Sequence, residues 1–294
     1  MRVLIFGPTG MLGHQLVREA LNRNYQIWAV SRSTRWLDSK LTDMRWMRVN
    51  WVGGVDVSGS LEWVRDWIDE CQPEVIVNAA GLVKQGPGGH DVSRLMPVNA
   101  LFPRALQTMV LERATKIIHI STDCVYNGAK GFYRESDVPN ALDWYGKSKI
   151  LGEVVGPRCL TLRTSIVGPE IHSYRGLFEW FRGQGVKTVP GYTRAIFSGV
   201  STVYLARLIW NLAEQFPNLE GLYHIATEPV SKYDLLQLIR DALRLETRIV
   251  PDDTVMCDRS LNAAKFFHAT GIVPPPWPKM VYDLLEASPR EARS

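Results

Sequence analysis

Cysteine is scarce in this chain: the 294 residues hold 4, at Cys71, Cys124, Cys159 and Cys257. None stand at CxxC spacing and none group with histidine. That argues against a disulfide-dense secreted scaffold and a structural zinc site, and it fits a reducing compartment. A charge excess of one sign is lacking too. Lys and Arg number 34 against 30 Asp and Glu, leaving +4, with no basic run to track a nucleic acid. Long apolar runs are also missing. Nothing approaches the roughly 18 apolar residues of a membrane span, and MRVLIFG is too short for a signal core. The expectation is a soluble, cytoplasmic protein without nucleic-acid or membrane partners and without a metal site.

What is present is alternation. Strand-like runs at Arg2 to Phe6, Tyr25 to Val30, Arg45 to Asn50, Glu74 to Asn78, Lys116 to Ser121 and Cys159 to Arg163 are separated by helix-like stretches. Apolar residues recur at helical spacing over Met11 to Asn24, from Ser60 to about Cys71, over Pro97 to Arg113 and over Asp143 to Val155. This is the pattern of an α/β, doubly wound parallel sheet of Rossmann type. After about residue 165 the alternation gives way to helices near 203–214 and 231–243, a short strand at Leu222 to Ile225 and Pro-rich turns. Residues 1–165 are therefore read as a dinucleotide-binding domain, and 166–294 as a smaller lobe interleaved with the last strands.

Gly7-Pro8-Thr9-Gly10-Met11-Leu12-Gly13 falls between the first strand and the first helix. Such a turn lets backbone approach a pyrophosphate at the free N–H groups of a helix N-terminus. A ligand-free glycine turn is the plainer alternative. At the end of the second strand an Asp or Glu would bind the ribose 2′-hydroxyl of NAD. Here the residues are Ser31 and Arg32, with Arg35 nearby. They favour the 2′-phosphate of NADP(H), unless Arg32 is merely solvated.

Tyr145 and Lys149 stand one helical turn apart. A phenol titrates near 10, and a neighbouring ammonium together with a nicotinamide cation would lower it toward neutral pH. Alone, the spacing describes any amphipathic helix with an exposed Tyr and Lys. Ser121-Thr122-Asp123 closes the fifth strand, at the edge where an open parallel sheet places its ligand, and offers a hydroxyl to a substrate carbonyl.

Taken together, GPTGMLG (7–13), VIVNAAG (75–81), VNA (98–100), ISTDCVYNG (120–128), YGKSKILGE (145–153), LRTSIVG (162–168) and GLYHIA (221–226) resemble an extended short-chain dehydrogenase/reductase, and within it the dTDP-4-dehydrorhamnose reductase group. The resemblance implies Tyr145 as general acid, Lys149 as its activator and ribose anchor, and Thr122 as the orienting hydroxyl. It implies that Ala79, Ala80 and Gly81 line the cofactor, that Asp56 and Val57 hold the adenine, and that Asn99 supports the site. Asp123, Cys124, Lys84, Arg175, Arg194 and Arg259 become candidate contacts to a nucleotide-diphosphate sugar. Cys124 and Ile166 stand where close members of the group carry aromatic residues, so the sugar pocket differs.

The implied activity is NADPH-dependent reduction of a keto group, at C4, on a nucleotide-activated deoxysugar. A nucleotide-sugar epimerase would favour an acidic residue after the second strand. A 4,6-dehydratase would need a Glu where Cys124 stands. An NADP-binding regulatory subunit is the non-catalytic alternative. Relatives often pair through helices of the Rossmann domain, so a homodimer is the assembly the resemblance allows.

Overall fold

The computed structural model describes residues 1–33, 44–86, 88–172 and 175–287, and Arg35 lies outside them. Strand β1 (Arg2–Phe6) is buried from Val3 to Phe6, with its side chains divided between two cores. Val3 and Ile5 join one apolar cluster and Leu4 and Phe6 the other, as a period of two demands when helices cover both faces. Helix α1 (Gly13–Asn22) buries Leu16, Val17, Ala20 and Leu21 on the first face. Strand β2 (Gln26–Val30) follows.

The strand expected over Arg45 to Asn50 is corrected. Met44–Arg48 forms a 3₁₀ turn, and β3 is Asn50–Val52. The reason lies in the burial period. Trp46 and Val49 turn inward, three residues apart, while Met44 and Met47 stay exposed. Trp46 then stacks on Trp51 at 5.9 Å.

Helix α2 (Glu62–Cys71) and β4 (Val75–Asn78) come next. The helix expected from Pro97 starts earlier, because Asp91 accepts a hydrogen bond from the Ser93 N–H and caps α3 (Val92–Met96). A π-helical turn at Pro97–Leu101 joins it to α4 (Phe102–Met109) and absorbs the missing N–H of Pro97. Then follow β5 (Lys116–Thr122), α5 (Trp144–Gly152) and β6 (Cys159–Thr164).

Beyond β6 the elements are short: β7 (Ile166–Val167), α6 (Leu177–Arg182), β8 (Thr188–Tyr192), β9 (Ala195–Phe197) and β10 (Val200–Ser201). Helix α7 (Thr202–Gln215), β11 (Gly221–His224), β12 (Val230–Ser231), α8 (Lys232–Leu243), β13 (Arg248–Asp252), β14 (Cys257–Asp258), α9 (Ala264–Thr270) and α10 (Trp277–Ala287) complete the order.

The main sheet has the order β11-β6-β5-β4-β1-β2-β3, with every pair parallel. It is a Rossmann-type α/β sheet whose strand order reverses between β1 and β4. In an open parallel sheet this reversal, at the carboxyl ends of the strands, is where a ligand binds. Smaller sheets (β10-β7, β12-β9-β14 and β13-β8) gather beyond β6. Among the described residues no helix is long and apolar enough to cross a membrane.

Candidate active site

The turn after β1 is built for close backbone approach. Gly7 has φ +77°, and a Cβ there would lie 2.7 Å from the Ala80 nitrogen. A Cβ on Gly13 would meet the Gly7 carbonyl oxygen at 1.9 Å. Gly10 N–H donates to the Gly7 carbonyl, Leu12 is buried, and Met11 packs against Gly176. Thr9 lies in the same turn, ahead of the N-terminus of α1. Backbone this tight, ending on a helix N-terminus, fits a dinucleotide pyrophosphate.

At the end of β2, Ser31 is buried and its hydroxyl donates to the Ser33 carbonyl at 2.8 Å, while Arg32 is exposed. Asp56 accepts from the Ser58 N–H at 2.9 Å and the Ser58 hydroxyl at 2.7 Å. Those bonds, with the charges of Arg32 and Arg94, hold its carboxyl below the ordinary range. Val57 packs on the second apolar cluster. Beyond β4, Ala80 N–H bonds the Asn78 side chain, and Gly81 sits against the Asn99 side-chain oxygen. Asn99, on the π turn, is fully buried. It accepts from Leu82 N–H at 2.9 Å and donates to the Leu82 carbonyl at 3.0 Å and Ser148 Oγ at 3.1 Å. Its amide thus ties the Leu82 loop to α5.

Thr122 ends β5. Its Oγ1 accepts from Cys124 N–H at 3.1 Å and donates to Asp123 Oδ1 at 3.2 Å. Tyr145 stands in the first turn of α5, within electrostatic reach of Thr122. Burial pushes its phenol well above the ordinary value, with the Cys124 thiol and nearby carboxyls adding to this and the Thr122 hydroxyl opposing it. Lys149 is buried and donates to the Ile120 carbonyl at 2.8 Å. Burial pushes its ammonium down to about 8, against an opposing pull from Glu153. A phenol held protonated one helical turn from a buried amine can deliver a proton.

The remaining polar groups cluster around this pair. Asp123 is buried, which raises its carboxyl, while Arg259 counteracts. Burial and Asp123 push the Cys124 thiol up to about 12, so it is not a thiolate near neutral pH. Arg259, just past β14, donates to the Tyr126 carbonyl at 2.9 Å and lies 3.7 Å from Cys124 Sγ. Lys84 pairs with Asp143 at 2.9 Å, and Asp143 caps α5 by accepting from Gly146 N–H. Lys84, Asp123, Cys124 and Arg259 therefore converge on one end of α5. Arg175 donates to the Gln85 carbonyl at 3.3 Å, on the loop that carries Lys84. Arg194 is exposed and contacts Met256, on the segment leading into β14.

The family model for the RmlD substrate binding domain matches residues 1–288. The chain belongs to this family. A dTDP-4-dehydrorhamnose reductase of Aggregatibacter actinomycetemcomitans is 29% identical over 252 residues, 82% of this chain and 78% of that protein. The methionine adenosyltransferase 2 subunit beta of Pongo abelii is 30% identical over 284 residues, 89% of this chain and 79% of that one. Among solved structures, one described as a hypothetical dTDP-4-dehydrorhamnose reductase from Sulfolobus tokodaii is 28% identical. It superposes with a TM-score of 0.75, over 90% of this chain and 93% of that one. The resemblance to the extended short-chain dehydrogenase/reductases is borne out.

Several members of the site in this RmlD-family chain were not singled out from the sequence. Asp143 holds both the helix cap and Lys84. Ser165 follows β6 and lies near enough to Asp123 to oppose the rise of its carboxyl. Glu153 and Arg163 form a buried ion pair at 2.7 Å behind β5. The available signal was spacing: Glu153 follows Lys149 by one helical turn.

Proposed function

We propose that this chain is an NADPH-dependent reductase of a keto group, at C4, on a nucleotide-activated deoxysugar of the dTDP-4-dehydrorhamnose type. The observation that carries the reading is the meeting of Thr122, Tyr145 and Lys149 at the carboxyl edge of β5, across the strand-order reversal from the Gly7–Gly13 turn. The Gly7–Gly13 turn would hold NADPH, which would supply the hydride for the carbonyl carbon. Tyr145, kept protonated by burial, gives its proton to the carbonyl oxygen, and the Thr122 hydroxyl orients that oxygen. Lys149 anchors the nicotinamide ribose and, as an ammonium, stabilises the phenolate left on Tyr145 once its proton has gone to the carbonyl oxygen.

Gly7, Thr9, Gly10, Met11, Leu12 and Gly13 cradle the pyrophosphate. Ser31 and Arg32 read the 2′-phosphate, Asp56 and Val57 the adenine, and Ala79, Ala80 and Gly81 the nicotinamide half. The nucleotide-diphosphate portion of the substrate lies against residues 166–294, where Arg259, Arg175 and Arg194 present guanidinium donors. Lys84, Asp123 and Cys124 border the sugar.

A panel of keto-sugar nucleotides tests the reading, with NADPH oxidation followed and the product stereochemistry solved by NMR. Tyr145→Phe should cut turnover by roughly 10²–10⁴-fold and leave NADPH affinity nearly unchanged. Retained activity in that variant would remove Tyr145 from its role.

A second reading rests on the Pongo abelii relative, named as a subunit of another enzyme. In that reading the chain binds NADP and regulates a partner without turnover. Absence of NADPH oxidation across the panel, together with co-purification of a partner enzyme whose activity it alters, would favour it.

A further inference from the structure

Glu153 closes α5 four residues after Lys149 and is 8% exposed. Its Oε1 accepts from Ser121 Oγ at 2.7 Å and from Arg163 Nε at 2.7 Å, and its Oε2 from Arg163 Nη2 at 2.7 Å. Arg163, on β6, is 4% exposed and donates its Nη1 to the Tyr126 hydroxyl at 2.6 Å. Lys149 Nζ meets the carbonyl of Ile120, the residue just before Ser121. Successive turns of α5 thus deliver a cation and an anion to successive positions of β5, immediately behind Thr122.

Replacing a buried ion pair by well-packed apolar residues is often neutral or stabilising. Stability alone therefore does not account for a carboxylate in this position. We propose that Glu153, locked by Arg163 and Ser121, is a positioning residue: a fixed anion one helical turn from Lys149 that sets the charge balance around the Lys149 amine. Its catalytic consequence rests on the reductase reading.

The surroundings agree in sign. Burial depresses Lys149, and Glu153 is the charge that opposes it. On β5, His119 is held well below its ordinary value by burial and by the charge of Lys149, so it is neutral near pH 7. On α5 itself Tyr145 is protonated. On β6, the Arg163 charge is engaged by Glu153. Lys149 is charged below its pKa, so losing Glu153 lowers the pH at which that charge disappears.

The test is Glu153→Gln, read in two ways on the full chain. Trace acetylation with acetic anhydride, quantified at Lys149 by peptide mass spectrometry across pH, reports the titration of that amine without any turnover. The pH profile of kcat with NADPH reports its consequence. Both midpoints should fall by about one pH unit, and Glu153→Asp should recover part of the shift. If Glu153→Gln fails to fold, the double variant Glu153→Met with Arg163→Met leaves no buried charge unpaired and should show a smaller fall of the Lys149 midpoint, since the more remote Arg163 cation goes with the anion. A folded variant whose Lys149 midpoint is unchanged overturns the proposal, even if turnover drops. A shifted midpoint in a protein that reduces no keto sugar supports the counter-charge and counts against the reductase reading alone.

Discussion

At the scale of single residues, the strongest constraints come from atoms that have no room to move. Gly7 and Gly13 are such positions, because a methyl group on either would run into backbone. Arg32 is the opposite case: exposed, near Asp56, and valuable only for its charge. Replacing it with Ala should weaken NADPH by roughly ten- to a hundredfold, the scale of one charge-assisted hydrogen bond. NADH affinity should barely change. Titrating both cofactors by fluorescence checks this, and equal losses would show that Arg32 does not read the 2′-phosphate. The positions of Gly7 to Gly13, Thr122, Tyr145 and Lys149 were legible because each belongs to a short local pattern. Glu153 and Arg163 were not, since their partnership crosses from α5 to β6 and exists only once β5 and β6 are side by side.

At the scale of elements, helical periodicity located α1, α2, α7 and α8 to within a few residues. It failed where the period changes. The inward turns of Trp46 and Val49 make a 3₁₀ segment, and Pro97 sits inside a continuous helix as a π turn rather than at its start. The two-residue strands β7, β10, β12 and β14 carry no pattern of their own and form only by pairing. The start of α5 depends on a single side chain, Asp143, which caps Gly146 N–H at 2.8 Å while pairing with Lys84. Asp143→Ala should destabilise the protein by about 1 kcal/mol, whereas Asp143→Asn keeps an acceptor and should cost much less. Urea unfolding of both variants separates the two contributions. Equal losses would assign the effect to the Lys84 pair instead of the cap.

At the scale of the whole molecule, the two halves of the chain complete one another. Strand β11 adds to the sheet beyond β6, and α7 covers α1, with Trp210 donating to the Leu16 carbonyl at 3.0 Å. Tyr25 meets the Trp210 ring edge-on at 5.5 Å. The residues on either side of position 165 therefore share one packed structure, and we expect a fragment of residues 1–165 to show no cooperative thermal transition. It would expose one edge of β6 and the apolar face of α1. A fragment that melts cooperatively and binds NADPH as the full chain does would contradict this. The same interleaving brings Arg259, late in the sequence, to Cys124 and Tyr126 just beyond the carboxyl end of β5.

The central claim is that a hydride passes from NADPH to a sugar carbonyl at this edge. The direct measurement supplies NADPH carrying deuterium at the transferred position of C4, with a dTDP-4-keto-6-deoxysugar as substrate, and examines the isolated product by NMR and mass spectrometry. The wild type should place one deuterium on sugar C4 for each NADPH consumed, and Tyr145→Phe should form almost no product in the same time. Product without deuterium, or no NADPH consumption with any keto-sugar nucleotide, would contradict it.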